Sequence, residues 1–190
     1  MSGIDGAILK ACIKQDTKAE YALYRYCFAL LMPLCFRYTR NEDDAADLLN
    51  KGFLKIHSNL VKYNEERAFD AWARKIMVNT IIDEYRNNKA YKETIMQVDM
   101  NELGQHYHPV DLNEAEARMN SKELKQYIDR LPEASKVVLN LFVFEGLSHK
   151  EIAAQMSISE GTSKWHLNNA RTLLKKMMRG VLSALKMYVL

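Results

Sequence analysis

Apolar residues recur at intervals of three and four along most of the chain, and no useful stretch alternates apolar with polar positions. The pattern therefore predicts helices and no strands. Residues 18–38 read as one helix entered through Asp16 and Thr17, with Pro33 kinking rather than ending it. Asn41, with Asp44 three residues on, opens a helix through about residue 60, with a core stripe of Leu49, Phe53, Ile56 and Leu60. Asp43, Asp44 and Asp47 lie in or near its first turn, where the helix dipole favours them. A polar loop at Asn64-Glu65-Glu66 leads into a long helix from Arg67 to about Tyr91. Residues 97–113 lose the periodicity and collect acidic side chains with Gly104 and Pro109, which marks a linker; the helical pattern resumes at Glu114. The expected fold is all-α. Two small helical domains, over 1–93 and 116–190, are joined by an acidic flexible linker over 94–115.

The second domain carries a local signature. Ser148 and Glu151 form the S-x-x-E capping box of a short helix starting near His149, which buries Ile152, Ala153 and Met156. Ser157 to Gly161 make a short turn, and Thr162 is positioned to cap a second helix that buries Leu167, Ala170 and Leu174. On another side of that helix Lys164, Asn168, Arg171 and Lys175 form a polar row at i, i+4, i+7 and i+11. Two helices, a tight turn and a polar-basic second helix describe a duplex-DNA reader, with Arg171 and Lys175 available to neutralise phosphates. The same residues also describe an αα-hairpin with a solvated outer face. Trp165, set among these polar residues, either touches a thymine methyl or sugar edge or folds down against the preceding helix.

In the first domain, Phe69, Trp72, Ile76, Asn79, Asp83 and Arg86 share one stripe that begins aromatic and ends polar. Arg74 and Lys75 lie on neighbouring faces. Aromatic rings beside cations suit single-stranded nucleic acid, whose unstacked bases rest on the rings. The alternative places Phe69 and Trp72 in the core, with a satisfied polar network beyond them; Phe69 fits the core better.

Charge sharpens the division. The chain has 190 residues and a net charge of +3. Residues 91–117 hold one basic and six acidic side chains, whereas residues 118–190 hold 12 basic and six acidic ones, and none is acidic after Glu160. A basic C-terminal segment points to a polyanionic partner. Cys12, Cys27 and Cys35 lack metal-type spacing and read as small core residues. No apolar run reaches the length of a membrane span, so a cytoplasmic protein without membrane insertion is expected. There is no P-loop, nucleophile constellation or catalytic carboxylate pair, so no enzyme and no cofactor is expected. His106, His108 and Asp111 lie in the linker and make no convincing metal site. The apolar tail 180–190 needs a covering surface, either its own domain or a partner.

Four segments resemble those of bacterial extracytoplasmic-function (group IV) sigma factors, the dissociable promoter-recognition subunits of RNA polymerase. They are residues 43–55, the F-x-x-W-x-x-x-I-x-x-N-x-x-x-D-x-x-R series of Phe69 to Arg86, Leu131-Pro132, and Gly146 through Lys164. The resemblance implies that Asp47, Asn50, Lys51 and Phe53 meet the β′ clamp helices of core polymerase. It implies that Lys62, Asn64, Arg67, Trp72, Arg74, Lys75, Asn79 and Arg86 handle the −10 strand. Thr162, Ser163, Lys164, Trp165, His166, Asn168, Asn169, Arg171 and Lys175 would meet the −35 duplex, with the domain resting on the β flap. An anti-sigma partner, in some cases membrane-bound, is implied as well. The chain departs from the family pattern at Asn50-Lys51, where Gln-Glu or Gln-Asp is common, at Ser157, where glycine is usual, and at Ser163-Lys-Trp-His166, where Val-Lys-Ser-Arg is common.

Overall fold

The computed structural model describes residues 3–87 and 121–188, with side chains in the second stretch described from 124 to 178. The chain divides into two units, residues 1–85 and 86–190. All regular elements among the described residues are helical. The expected linker, with His106, His108 and Asp111, lies outside the described residues, as do positions 88–91 of the long helix.

The first unit begins with a helix the hydrophobic pattern did not reveal, α1 (Gly6–Ile13), whose amide at Ala7 donates to the Asp5 carboxylate at 2.8 Å. At eight residues it is too short for a clear period. Its burial rests on Leu9 and Cys12. Helix α2 (Thr17–Tyr38) starts where Asp16 accepts from the Ala19 amide, and it continues through Pro33, which is exposed. Helix α3 (Glu42–Ser58) is capped by Asn41, which accepts from the Asp44 amide at 2.8 Å. A single 3₁₀ turn (Leu60–Lys62) precedes α4 (Phe69–Asn87), which begins two residues later than the pattern predicts.

Leu23, Cys27, Leu31 and Cys35 of α2, Ala45, Leu49 and Ile56 of α3, and Ala73, Met77 and Ile81 of α4 are all buried. Burial pushes the Cys27 and Cys35 thiols up to about 12, so both remain protonated core residues. The expected α3 core stripe needs one correction. Phe53 is only half-buried, packing edge-on against Tyr24 with centroids 5.0 Å apart. Gly52 takes the inner position instead, because a Cβ there would stand 2.2 Å from Met77 Sδ. The missing side chain leaves room for the end of the Met77 side chain.

The second unit contains α5 (Ser121–Asp129), α6 (Glu133–Val143), α7 (His149–Met156) and α8 (Glu160–Tyr188). Leu131 is buried just before α6, and Pro132 takes the position preceding that helix's first turn, where its missing N–H costs nothing. The Ser148–Glu151 capping box is present on α7. Ser157 follows in the left-handed conformation, φ 57° and ψ 43°, and its amide bonds back to the Ala153 carbonyl. A β-carbon in that region costs about 1–2 kcal/mol, which glycine would avoid. The cap of α8 is Ser159 rather than Thr162. The Thr162 amide donates to Ser159 Oγ at 2.9 Å, and the helix starts at Glu160. The tail helix runs to Tyr188, and what covers its side chains lies outside the described part.

Candidate nucleic-acid interface

Ser163, Leu167, Ala170, Leu174 and Met178 of α8 are all buried. At 3.6 residues per turn they follow one line, and His166 lies beside it. The polar row flanks that line. Lys164 is exposed, while Asn168, Arg171 and Lys175 are partly exposed, over about 16 Å of helix axis. Thr162, also partly exposed, shares a 2.8 Å hydrogen bond with Ser159.

Two residues expected at the reading surface are inside instead. Ser163 is fully buried with Oγ 2.9 Å from His149 Nδ1, and His166 is buried with Nδ1 3.1 Å from Ser135 Oγ. Asn169 Nδ2 donates to the same Ser135 hydroxyl at 3.2 Å, so its amide is directed to α6. Ser135 has one hydrogen. While it accepts from Asn169 it can donate to His166 Nδ1, leaving a neutral imidazole with its proton on Nε2. Burial pushes the His166 pKa down to about 4, which keeps the ring uncharged near neutrality. A neutral, buried ring has no access to base edges. The signal was available, because extending the Leu167–Ala170–Leu174 stripe back one turn reaches positions 163 and 166.

Trp165 is partly exposed, with its ring edge-on to His166 at 4.9 Å. Three further residues form a group that sequence reasoning missed in part. The His149 ring stacks on Phe142 at 4.7 Å and 24°, and the Arg171 guanidinium lies 5.9 Å from the centroid of the same Phe142 ring. Arg171 was expected at the DNA face; Phe142 and His149 were not, and periodicity carries no signal for a ring contact between helices.

In the first unit, Phe69 is buried at the foot of an aromatic cluster. Tyr26, Tyr63 and Trp72 surround it at centroid distances of 6.0, 5.6 and 5.6 Å, and Tyr63 lies 4.9 Å from Trp72. The Tyr26 hydroxyl donates to Asp70 at 2.6 Å; burial, then that carboxylate, pushes the phenol up to about 12. The Tyr63 hydroxyl donates to the Arg67 carbonyl, clipping the loop before α4 onto the cluster. Tyr63 is a member the sequence reading omitted.

Lys62, Asn64, Arg67 and Lys75 are exposed, and Trp72 and Arg74 are partly exposed. Asn64 is engaged with Glu66 through both its amide nitrogen and its carbonyl. Asn79 is exposed about 10 Å along α4 from Trp72, whereas exposed Arg86 is about 21 Å away and belongs to the far end of the helix.

On α3, Asp47, Asn50 and Lys51 are exposed, with Asn50 accepting from the Tyr24 hydroxyl at 3.0 Å. Lys51 pairs with Glu84, and Lys55 pairs with Asp83 at 2.9 Å. The lysine at the position where an acidic residue is common is thus answered by a carboxylate on α4.

A Sigma-70 region 2 family model matches residues 23–91, and a Sigma-70 region 4 model matches residues 121–174. Bacillus subtilis RNA polymerase sigma factor SigV is 30% identical over 173 residues, covering 89% of this chain and 90% of that protein. SigZ of the same organism is 33% identical over 138 residues, 70% and 72% of the two chains. The ECF sigma-E factor of Haemophilus influenzae is 28% identical over 183 residues, 92% and 95%. The chain belongs to the ECF RNA polymerase sigma factors.

As a sigma factor it is a transcription-initiation factor working with RNA polymerase, not an enzyme. The region 2 match covers α2 to α4, which carry the aromatic cluster, and the region 4 match ends at Leu174 within α8. Among the described residues of the sigma factor, no helix is long and apolar enough to cross a membrane.

Proposed function

We propose that this sigma factor reads a promoter at two places. The observation that carries the reading is the row Lys164, Asn168, Arg171 and Lys175, solvent-accessible along one flank of the second helix of a helix-turn-helix. That row enters the −35 major groove, with Thr162 and Trp165 at its leading end. Arg171 and Lys175 neutralise phosphates, and Lys164 and Asn168 reach base edges. Ser163 and His166 are packing residues, and Asn169 braces the helix against α6.

The domain over 1–93 captures the −10 non-template strand. Trp72 offers its ring to an extruded base, with Lys62, Asn64, Arg67, Arg74 and Lys75 along the backbone and Asn79 nearby. Extruding a base costs a few kcal/mol, offset by stacking and charge contacts. Arg86 contributes only general attraction for the backbone. Asp47, Asn50, Lys51 and Phe53 meet the β′ clamp helices, the domain over 116–190 rests on the β flap, and the linker over 94–115 runs near the RNA exit path. The protein works in the cytoplasm and is held inactive by an anti-sigma factor, itself membrane-bound or soluble.

The test is reconstitution with core RNA polymerase, followed by run-off transcription on genomic fragments and sequencing of the products. Transcripts sharing −35 and −10 elements are expected. Failure to bind core polymerase and to start transcripts would leave a duplex-binding regulator instead. Trp72→Ala should impair promoter melting, read by permanganate reactivity, while polymerase binding is retained.

A further inference from the structure

His149 opens α7 in a partly exposed position, and two separate contacts hold it there. Its ring stacks on Phe142 of α6, and its Nδ1 lies 2.9 Å from the buried Ser163 hydroxyl of α8. Lys164, which follows Ser163 in the chain, and Arg171, the cations assigned to DNA above, both disfavour a charge on the ring. Arg171 also reaches the Phe142 ring that carries His149. This is a ring placed among phosphate-binding cations, unlike His166, which lies deep in the core. It also differs from His166 in keeping solvent access.

We propose that His149 is a further DNA-contact residue of this sigma factor. When a duplex phosphate docks beside Lys164 and Arg171, His149 takes up a proton from solvent and donates a hydrogen bond to that phosphate through Nε2. The proposal rests on the duplex-reading role of the C-terminal unit.

The geometry permits both protonation states. A hydroxyl can donate or accept, so Ser163 bonds to Nδ1 of the neutral ring and equally accepts from Nδ1–H of the imidazolium. In either case Nε2 is left for an outside group.

The charges around the ring supply the coupling. In the free protein, burial first, then Lys164 and Arg171, hold the His149 pKa below the ordinary histidine value, and Glu160 pushes weakly the other way. On its own helix Lys150 is an exposed cation, and Glu151 is occupied by the Ser148 cap; Phe142 of α6 brings no charge. A phosphate between these cations reverses the balance, because an anion nearby favours the charged imidazole. Raising the pKa on binding means that binding takes up a proton, so affinity rises as pH falls, by at most about tenfold per pH unit for one proton. A histidine that merely props the turn would be neutral with or without DNA.

The experiment uses the full chain and a fluorescein-labelled duplex of mixed sequence, ~20 base pairs long, at low salt, since phosphate contacts are independent of sequence. Anisotropy titrations from about pH 6 to about pH 8 give the affinity, and histidine ring NMR shifts give the His149 pKa with and without duplex. The expected result is a higher His149 pKa with duplex and a several-fold tighter complex at the acid end. That pH dependence should vanish in His149→Gln, whose amide can keep the Ser163 bond. In Arg171→Gln the pKa of free His149 should rise, which checks the coupling without any DNA. Salt-sensitive binding with an unmoved His149 pKa, and equal pH profiles for the parent and His149→Gln, would overturn the proposal and leave the duplex-reading role standing. No binding to duplex at any salt would overturn both.

Discussion

His166 Nδ1 lies 3.1 Å from Ser135 Oγ, so α8 is pinned to α6 by a residue adjoining the row proposed to face DNA on the same helix. Ser135 also receives the Asn169 amide, and both His166 and Ser135 are buried. The polar row of α8 is therefore held at a fixed rotation about the helix axis by a small buried network.

Breaking that network should cost stability rather than alter sequence preference. His166→Ala leaves the Ser135 hydroxyl without its acceptor and opens a cavity, an expected loss of about 2–3 kcal/mol. Urea unfolding of the C-terminal transition measures it. The −35 preference of the folded variant, read by transcript sequencing, should be unchanged.

The same residue makes stability fall in acid. His166 has a pKa of about 4 in the folded protein, below the ordinary histidine value of about 6.5. The unfolded state therefore binds more protons between those values. Stability is fully present above about pH 6.5 and declines as pH falls towards 4, by at most about 3 kcal/mol. Thermal melts across that range, with His166→Leu as the variant lacking the titration, check the sign.

Phe142 should act through Arg171. Losing its ring while keeping its bulk, in Phe142→Leu, removes a cation–π contact worth about 0.5–1 kcal/mol and should weaken duplex binding about two- to fivefold. Phe142→Tyr should retain the affinity. Arg171→Ala should lower the slope of log affinity against log salt by about 1 and weaken all sequences alike. An altered sequence preference with unchanged affinity would contradict the phosphate role.

Gly52→Ala gains helix propensity yet places a methyl against Met77, so overpacking of about 1–3 kcal/mol should dominate. The melting temperature should drop, and the shorter side chain of Met77→Val in the same molecule should recover part of it.

Reversing Lys51 to glutamate brings it up against Glu84. Both side chains are about half exposed, at 53% and 42%, so solvent screens the pair and the stability loss should stay below about 1 kcal/mol. Adding Glu84→Lys should restore the pair with opposite polarity. Polymerase affinity measured for the double variant then reports whether polymerase binding depends on the charge at position 51.

Residues such as Asp16, Asn41 and the Ser148–Glu151 box were legible because a helix start is an interaction over three or four residues. The stripe Leu167–Ala170–Leu174 was legible because burial on a helix has a period. Helix α1 escaped because eight residues give that period too little length. Phe53 and Gly52 exchanged places because the pattern favours the larger apolar residue, while room beside Met77 favoured the absent side chain. The family resemblance places Ser163 and His166 outward, although their positions continue the buried stripe.

Most of the helices and their caps, the helix-turn-helix and the family are thus legible without coordinates, since these rest on local hydrogen bonding, periodicity and motif order. The tertiary structure alone decided which polar side chains are spent on packing. It showed Lys51 paired to Glu84, His166 to Ser135, and His149 to Ser163. A polar residue on a helix carries no record of its partner; only the neighbouring helix determines whether that group meets solvent, a ligand or another side chain.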